Sequence, residues 1–312
     1  MINRNDRPIK VGTRGSNLAL TQTGHVIDAL SQANPSIDFE IVTIKTTGDH
    51  DRWKTQMPVK VGVFVRELES ALLDNRIDIA VHSLKDMPSS LATDELAIAA
   101  VPEREDPRDA LISRKGILLE DLPSGSRIAT GSIRRQALVK SMRPDLTVEP
   151  VRGNVETRLE KLRQTDGPDA VILATAGLNR LGLQDQISQH LSCMKFVAAV
   201  GQGALAVETR ADDDFTTNLT AKIDHIETRQ AITAERAFLQ VIGGGCSSSV
   251  SAHAKITKQQ IEISAFASTQ DASTVLREQV TGMASDAANI GFKLGQSFVD
   301  QGARQLLSED PV

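Results

Sequence analysis

Short runs of branched apolar residues alternate with segments of helical periodicity along the first two thirds of the chain. Eight of these apolar runs predict strands, at residues 9–12, 39–45, 77–82, 96–101, 127–129, 147–151, 170–174 and 205–208. Apolar positions spaced by three and four predict helices that begin near residues 16, 64, 133 and 155. This alternation predicts an α/β fold with buried, largely parallel strands, arranged in two successive blocks that echo each other.

The pattern changes at His225. From there the sequence predicts a long helix at 226–242 that ends at the glycines 243–245. Two alternating strands are predicted at 261–267 and 275–280, and a terminal helical region at 284–307. Strands followed by a helix indicate a small α+β domain.

Two charged runs suggest where the blocks meet. Residues 103–109 are densely charged and contain a proline, which is typical of a solvated turn that crosses between domains. The acidic run 212–214 predicts a surface linker. The buried strand after residue 204 is predicted to return to the first sheet. We therefore predict three domains, formed by residues 1–103 with 200–222, by 104–199 and by 223–312.

A lysine and a carboxylate stand directly after the predicted strand 77–82. Pro88 cannot continue a strand, so Lys85 and Asp86 are expected just past its carboxyl end, where open α/β sheets bind their ligands. A cation beside a carboxylate suits a ligand with both negative and positive groups. The alternative, that Asp86 caps the next turn and Lys85 is solvated, stays open from these residues alone.

Small-residue turns that carry arginine recur after the predicted strands. The turn 13–16 leads into a helix with Ser16 or Asn17 as its N-cap. The free N–H groups at such a helix start favour the binding of anions. A purely structural role for Arg14 stays open. Six arginines occupy strand-end positions: Arg14, Arg134, Arg135, Arg152, Arg158 and Arg180. Because a guanidinium binds carboxylate or phosphate bidentately and keeps its proton, we expect a cleft for a ligand with many negative charges.

Composition narrows the classes of function. The net charge of −5 and the aromatic content of 3%, with no tyrosine, argue against nucleic-acid binding. No apolar run reaches the ~18 residues of a membrane helix, and the first residues lack a signal-peptide core, so we expect a cytoplasmic protein without a membrane partner. The histidines and cysteines show no metal-ligand spacing, so no metal is expected.

The two cysteines do not form a disulfide framework, which is consistent with a reducing compartment. Cys193 is expected to have no chemical role. Cys246 follows a glycine run and precedes three serines, and two interpretations of it stay open. It is either a small buried hydrophobic residue or an accessible nucleophile or attachment point.

Seven motifs, in this order, resemble the porphobilinogen deaminase (hydroxymethylbilane synthase) family over nearly the whole chain. They are Thr-Arg-Gly-Ser at 13–16 with Leu-Ala-Leu at 18–20, His-Ser-Leu-Lys-Asp-Met-Pro at 82–88, Arg-Glu-Asp-Pro-Arg-Asp-Ala at 104–110, Ser-Ile-Arg-Arg-Gln at 132–136, Arg-Gly-Asn at 152–154 with Thr-Arg-Leu at 157–159, Val-Gly-Gln-Gly-Ala at 200–204, and Gly-Gly-Cys at 244–246. A chance match of seven such runs in order is not plausible.

The resemblance implies two doubly wound, periplasmic-binding-protein-like α/β domains with an active cleft between them, and a small α+β C-terminal domain. It implies a monomeric transferase of porphyrin and haem biosynthesis that joins four porphobilinogen molecules head to tail, releases ammonia each time, and frees hydroxymethylbilane by hydrolysis. It also implies a covalent dipyrromethane cofactor, attached through a thioether to Cys246.

Residue by residue, the resemblance makes Asp86 the catalytic aspartate. The residues that match ligands of cofactor or substrate carboxylates are Arg14, Ser16, Ser83, Lys85, Thr130, Ser132, Arg134, Arg135, Arg152, Arg158 and Gln202. Arg180 joins this set as a strand-end arginine, and Phe64 matches an aromatic residue that lines the cleft.

Three loops depart from the family pattern. The usual Gly-Gly-Lys-Gly before Phe64 is replaced by Val-Lys-Val-Gly at 59–62, so either Lys60 substitutes for the lost lysine or a carboxylate contact is lost. Prolines are missing after Cys246 and before Val200. The altered lysine loop motivates one alternative, a non-catalytic protein on the same scaffold that binds a tetrapyrrole or another polycarboxylate.

Overall fold

The structure is a computed structural model that describes residues 7–44, 65–89, 93–243 and 248–308. Among these residues the strands are β1 (Ile9–Thr13), β2 (Phe39–Thr43), β3 (Ile79–Ser83), β4 (Leu96–Ala100), β5 (Asp109–Ser113), β6 (Arg127–Ala129), β7 (Thr147–Glu149), β8 (Ala170–Ala174), β9 (Gln189–Leu191), β10 (Leu205–Arg210), β11 (Val250–Thr257), β12 (Gln260–Ser268) and β13 (Val275–Met283). The α-helices are α1 (Asn17–Ala33), α2 (Arg66–Leu73), α3 (Ile133–Met142), α4 (Val155–Arg163), α5 (Thr175–Arg180), α6 (Asp214–Ala221), α7 (Ile226–Ile242), α8 (Ala287–Asp300) and α9 (Ala303–Ser308). In these described ranges no helix is long and apolar enough to cross a membrane.

One compact unit comprises Met1–Arg104 and Ala204–Arg229. Its five-stranded sheet has the order β2-β1-β3-β10-β4, in which β1 is parallel to β2 and β3, while β10 is antiparallel to β3 and β4. The strand predicted at 205–208 therefore returns to the first sheet, as expected. Helix α1 packs on one face through Leu30, and α2 packs on the other face through Leu68.

The second compact unit comprises Glu105–Gly203 and Gln230–Val312 and contains two sheets. The first has the order β7-β6-β8-β5-β9, with β6 parallel to β7 and β8, and β5 antiparallel to β8 and β9. The second is the antiparallel sheet β11-β12-β13, and its core includes Phe238 of α7 and Phe298 of α8, whose rings meet edge to face at 5.2 Å. The predicted α/β class with a small α+β part is confirmed, while the boundaries of the three domains stay a prediction.

Small polar residues begin the helices that follow the strands. Ser16 Oγ, Ser132 Oγ and Asn154 Oδ1 each accept a hydrogen bond from the backbone N–H three residues later, at 3.3, 3.4 and 2.8 Å. These caps satisfy otherwise unpaired N–H groups and let each helix begin within a few residues of a strand end. The N-termini of α1, α3 and α4 therefore stand at the carboxyl ends of β1, β6 and β7.

Two sequence predictions are corrected by the structure. Asp213, expected in a surface linker, is 3% exposed, and its carboxylate accepts hydrogen bonds from Arg210 Nη2 at 2.9 Å and from the N–H of Thr216 at 3.1 Å. Asp213 thus caps α6 and pairs with a buried arginine, which is why it is not solvated, while Asp212 and Asp214 are exposed as predicted. The C-terminal sheet has three strands where two were predicted, because two of the four apolar positions that alternate along β11 are alanines, which are a weak strand signal.

Candidate active site

The carboxyl end of β3 leads directly into the 3-10 turn Leu84–Asp86. Leu84 and Met87 are buried, and the N–H of Leu84 donates to the carbonyl oxygen of Ala204 at 3.1 Å, so both ends of the turn are anchored. Lys85 and Asp86 are half-buried at this strand end, where the sequence predicts them. Within the described residues the Asp86 carboxylate makes no hydrogen bond, which argues against the capping alternative.

Several predicted site residues lie at one edge of the first unit's sheet. Strands β1 and β3 are parallel neighbours, so their carboxyl ends reach the same edge. The Oγ of Ser83, the last residue of β3, lies 2.9 Å from Gln22 Nε2 and so ties this strand end to α1. The predicted site residues at this edge are Arg14, Ser16, Ser83, Lys85 and Asp86.

An equivalent edge exists in the second unit, where β6 is parallel to both β7 and β8. Arg158 Nε and Arg180 Nη2 donate to backbone carbonyl oxygens at 2.9 and 2.8 Å. Gly131 packs so closely that a Cβ there would lie 2.7 Å from the carbonyl oxygen of Val151, so only glycine fits between these strand ends. The predicted site residues at this edge are Thr130, Ser132, Arg152, Arg158 and Arg180.

The paired arginines of the second unit are buried around Asp109, the first residue of β5, which is 0% exposed. Arg134 Nη1 donates to Asp109 Oδ2 at 2.8 Å, and Arg135 Nε donates to Oδ1 at 2.9 Å. Gln202 Nε2 donates to the same Oδ1 at 3.0 Å. The structure therefore brings together three of the predicted ligands of carboxylates, around a carboxylate of the protein itself.

The sequence did not reveal that Asp109 is buried with these residues, and the solvated turn predicted for 103–109 is wrong at this position. The apolar residues 110–112 that follow are the signal for a buried strand. The partner arginines lie 25 and 26 residues further along the chain, so nothing local to the charged run reveals the pairing.

The electrostatics of this cluster follow from its burial. Burial alone would raise the pKa of Asp109, but the charges of Arg134 and Arg135, with hydrogen bonds from Arg134 and Gln202, hold that pKa at about 2. The carboxylate is therefore ionised at neutral pH and compensates one of two guanidinium charges. The cluster keeps a net positive charge, which suits residues predicted to bind carboxylates.

Asp109→Asn is expected to lower the free energy of unfolding by about 3–5 kcal/mol at neutral pH, because it leaves two guanidinium groups buried without a carboxylate. The folded-state pKa of Asp109, about 2, lies below its ordinary value of 3.8. The stabilisation is therefore present above the ordinary pKa and is lost as pH falls toward 2, so the difference between variant and wild type shrinks in acid. Urea unfolding from pH 7 to pH 3 measures this difference.

The matched control for this variant is Asp185→Asn, which changes an exposed aspartate of the same unit and should leave stability nearly unchanged. An Asp109→Asn protein as stable as wild type at pH 7 would contradict the electrostatic account.

Three predicted site residues lie outside the described residues: Lys60, Phe64 and Cys246. Their roles stay predictions.

A family model described as "Porphobilinogen deaminase, dipyromethane cofactor binding domain" matches residues 9–218, and one described as "Porphobilinogen deaminase, C-terminal domain" matches residues 229–300. The relatives include a porphobilinogen deaminase of Alkaliphilus metalliredigens, 42% identical over 96% of this chain and 95% of that protein. Another, from a Roseiflexus species, is 46% identical over 96% of this chain and 98% of that protein.

Solved structures give a weaker likeness. A periplasmic binding protein of Salmonella typhimurium matches 69% of this chain and 90% of its own, with 13% identity and a TM-score of 0.39, which is too low to carry an argument. The two family models and the full-length relatives decide the assignment. This chain belongs to the porphobilinogen deaminase family of transferases, and it contains that family's dipyrromethane cofactor binding domain.

Proposed function

We propose that this protein is a hydroxymethylbilane synthase. It deaminates four porphobilinogen molecules, joins them head to tail on a covalent dipyrromethane primer, and releases hydroxymethylbilane by hydrolysis. The observation that carries the proposal is the position of Asp86 at the end of β3, beside Lys85 and at the same sheet edge as Arg14, in a chain of this family. The chain has therefore kept a carboxylate and two cations together at that edge.

The chemistry of the donor set fits dipyrromethane, which carries several carboxylates. Arginine, lysine and hydroxyl donors line the strand ends of both sheets, and the half-buried Arg180 donates to a neutral carbonyl oxygen. The residues proposed to hold cofactor or substrate carboxylates are Arg14, Ser16, Lys60, Ser83, Lys85, Thr130, Ser132, Arg134, Arg135, Arg152, Arg158, Arg180 and Gln202. Phe64 is proposed to line the site, and Cys246 to carry the cofactor through a thioether.

When bound, dipyrromethane supplies the pyrrole carbon at which the first unit is joined. The role of Asp86 follows from the substrate's chemistry. As the C–N bond of porphobilinogen breaks and ammonia leaves, positive charge spreads to the pyrrole nitrogen, and a carboxylate beside that nitrogen stabilises it. A new C–C bond then forms, and the attacked ring must lose a proton, which Asp86 can accept.

Lys85 and Arg14 have a separate role in this proposal. They bind substrate carboxylates, because an ammonium and a guanidinium at one sheet edge provide charge-assisted hydrogen bonds to anions. Binding at these carboxylates leaves the aminomethyl carbon free to react. From the family we also infer that the protein is a monomer that works on porphobilinogen in the cytoplasm, without a membrane partner. The net charge of −5 leads us to infer that it has no nucleic-acid partner.

The test is turnover of porphobilinogen by the purified protein. We expect ammonia and hydroxymethylbilane in a ratio of four to one, with the product identified by its chemical closure to uroporphyrinogen and by mass. Binding of porphobilinogen without release of ammonia would reject the proposal and favour the non-catalytic alternative.

A further inference from the structure

Three titratable side chains are buried together in the first unit, directly before the turn that carries Asp86. His82 belongs to β3, Glu208 to β10 and Glu69 to α2. Ala206 pairs with His82 and Glu208 pairs with Ala80, so His82 and Glu208 are diagonal neighbours on one face of the sheet. This is the face on which α2 packs.

All three groups are buried, and two of them, His82 and Glu208, are within hydrogen-bond distance. His82 Nε2 lies 3.0 Å from Glu208 Oε2, and these side chains are 3% and 0% exposed. Glu69 is also buried. The second oxygen of Glu208 and one oxygen of Glu69, both Oε1, are buried without a hydrogen-bond partner among the residues described. Buried oxygens of this kind cost free energy unless a proton or a donor satisfies them.

The charges around Glu69 disfavour its ionised form. Burial raises the pKa of Glu69 first, and the charge of Glu208 raises it further, while His82 and the exposed Arg66 of α2 oppose this. Asp78, directly before β3, and Arg210 of β10 pair with each other at 3.4 Å, and Arg7 also binds Asp78. The cluster therefore holds two carboxylates against one imidazole.

We propose that His82, Glu208 and Glu69 form a positioning cluster in which Glu69 carries a proton while His82 pairs with Glu208 through Nε2. With this proton in place Glu69 adds no buried negative charge to the cluster. His82 then holds the end of β3, and Ser83, Lys85 and Asp86 follow it along the chain. None of the three touches the substrate, and their effect on turnover rests on the proposed function.

Stability against pH gives a readout that does not need turnover. Because the folded-state pKa of Glu69 is raised above its ordinary value of 4.5, the stability from its protonated form is complete below that value and is lost as pH rises through the folded pKa. Glu69→Gln mimics the protonated form. We expect the melting temperature of the variant minus that of wild type to increase as pH rises.

The matched control is Asp78→Asn, near the other end of the same strand. Burial alone would raise the pKa of Asp78, but the hydrogen bonds from Arg7 and from the N–H of Lys10 lower it below 3.8. Asp78→Asn should therefore destabilise the protein at neutral pH, and its deficit should shrink as pH falls, which is the opposite sign. A difference between Glu69→Gln and wild type that does not change with pH would overturn the assignment of a proton to Glu69.

Turnover tests the positioning role. Glu208→Gln should lower kcat about tenfold with KM within about twofold of wild type, because the substrate-binding groups remain while Asp86 is displaced. Glu69→Gln should keep its kcat at neutral pH and lose the decline that accompanies ionisation of Glu69 at higher pH. Asp78→Asn should keep the wild-type shape of the pH profile.

The outcomes separate the two proposals. If wild type does not turn over porphobilinogen, the proposed function fails, and the stability profiles still decide whether Glu69 carries a proton. If Glu69→Gln and Glu208→Gln both keep the wild-type pH profile and kcat per folded molecule, the positioning role is rejected while the function stands. Should Glu208→Gln fail to fold, the pH profile of Glu69→Gln decides.

Discussion

Asp86→Asn is expected to lower turnover of porphobilinogen by about 10³-fold, with little change in KM. Asparagine keeps the size and hydrogen-bonding capacity of the side chain but removes its charge. The positive charge that develops on the pyrrole nitrogen then has no counter-charge, and the attacked ring has no base to take its proton. Each of these losses alone typically costs about 10²–10³-fold in rate.

The surroundings of Asp86 indicate that this variant keeps the wild-type fold. Asp86 is half-buried, ends its 3-10 turn, and makes no side-chain hydrogen bond within the described residues, so its replacement should leave the turn anchored by Leu84 and Met87. Ammonia release under saturating substrate measures kcat, and thermal unfolding checks the fold. Substrate binding should persist because Lys85 and Arg14 are unchanged.

Asp28→Asn is the matched control, since Asp28 is an exposed aspartate of α1 in the same unit. This control should turn over substrate like wild type. An Asp86→Asn protein with wild-type kcat would remove Asp86 from the mechanism, and the proposal would then have no carboxylate at the end of β3.

The site could be predicted where its residues are local in sequence. Lys85 and Asp86 were placed correctly because a run of β-branched residues ends at Pro88 within a few positions, and Ser16 was recognised as a cap from its place before an amphipathic helix. Both inferences depend only on amino acids within a few positions of the residue concerned.

Long-range pairing is the part that the sequence did not reveal. Asp109 looked like one charge among many, and only the antiparallel pairing of β5 with β8 brings it inside the second sheet, where Arg135 Nη1 also donates to the Ile172 carbonyl oxygen. Asp213 lies only three residues from its partner Arg210, but the burial of that arginine depends on distant contacts, with Asp78 and with the carbonyl oxygens of Leu72 and Ile77. A charged run in the sequence does not show which of its members faces a core.

Cys246→Ala is expected to remove the covalent cofactor and, with it, turnover. Wild-type protein should have an intact mass above that of its sequence by one dipyrromethane, and the excess should survive denaturation because a thioether is covalent. In Cys246→Ala the mass should equal that of the sequence. Without a primer the first porphobilinogen has no anchored pyrrole to join, so activity should fall by about 10³-fold or more.

The chain provides its own control, because it contains only one other cysteine, Cys193. Cys193→Ala should keep both the excess mass and the turnover of wild type. Cys246 occurs in the sequence between the end of α7 at Ile242 and the start of β11 at Val250, and the buried core of these elements should hold the variant folded without the cofactor. If the excess mass persists in Cys246→Ala, or disappears in Cys193→Ala, the attachment site is assigned to the wrong sulfur. If wild type carries no excess mass yet releases hydroxymethylbilane, the primer is not covalent, and the sheet-edge arginines must hold it by charge alone.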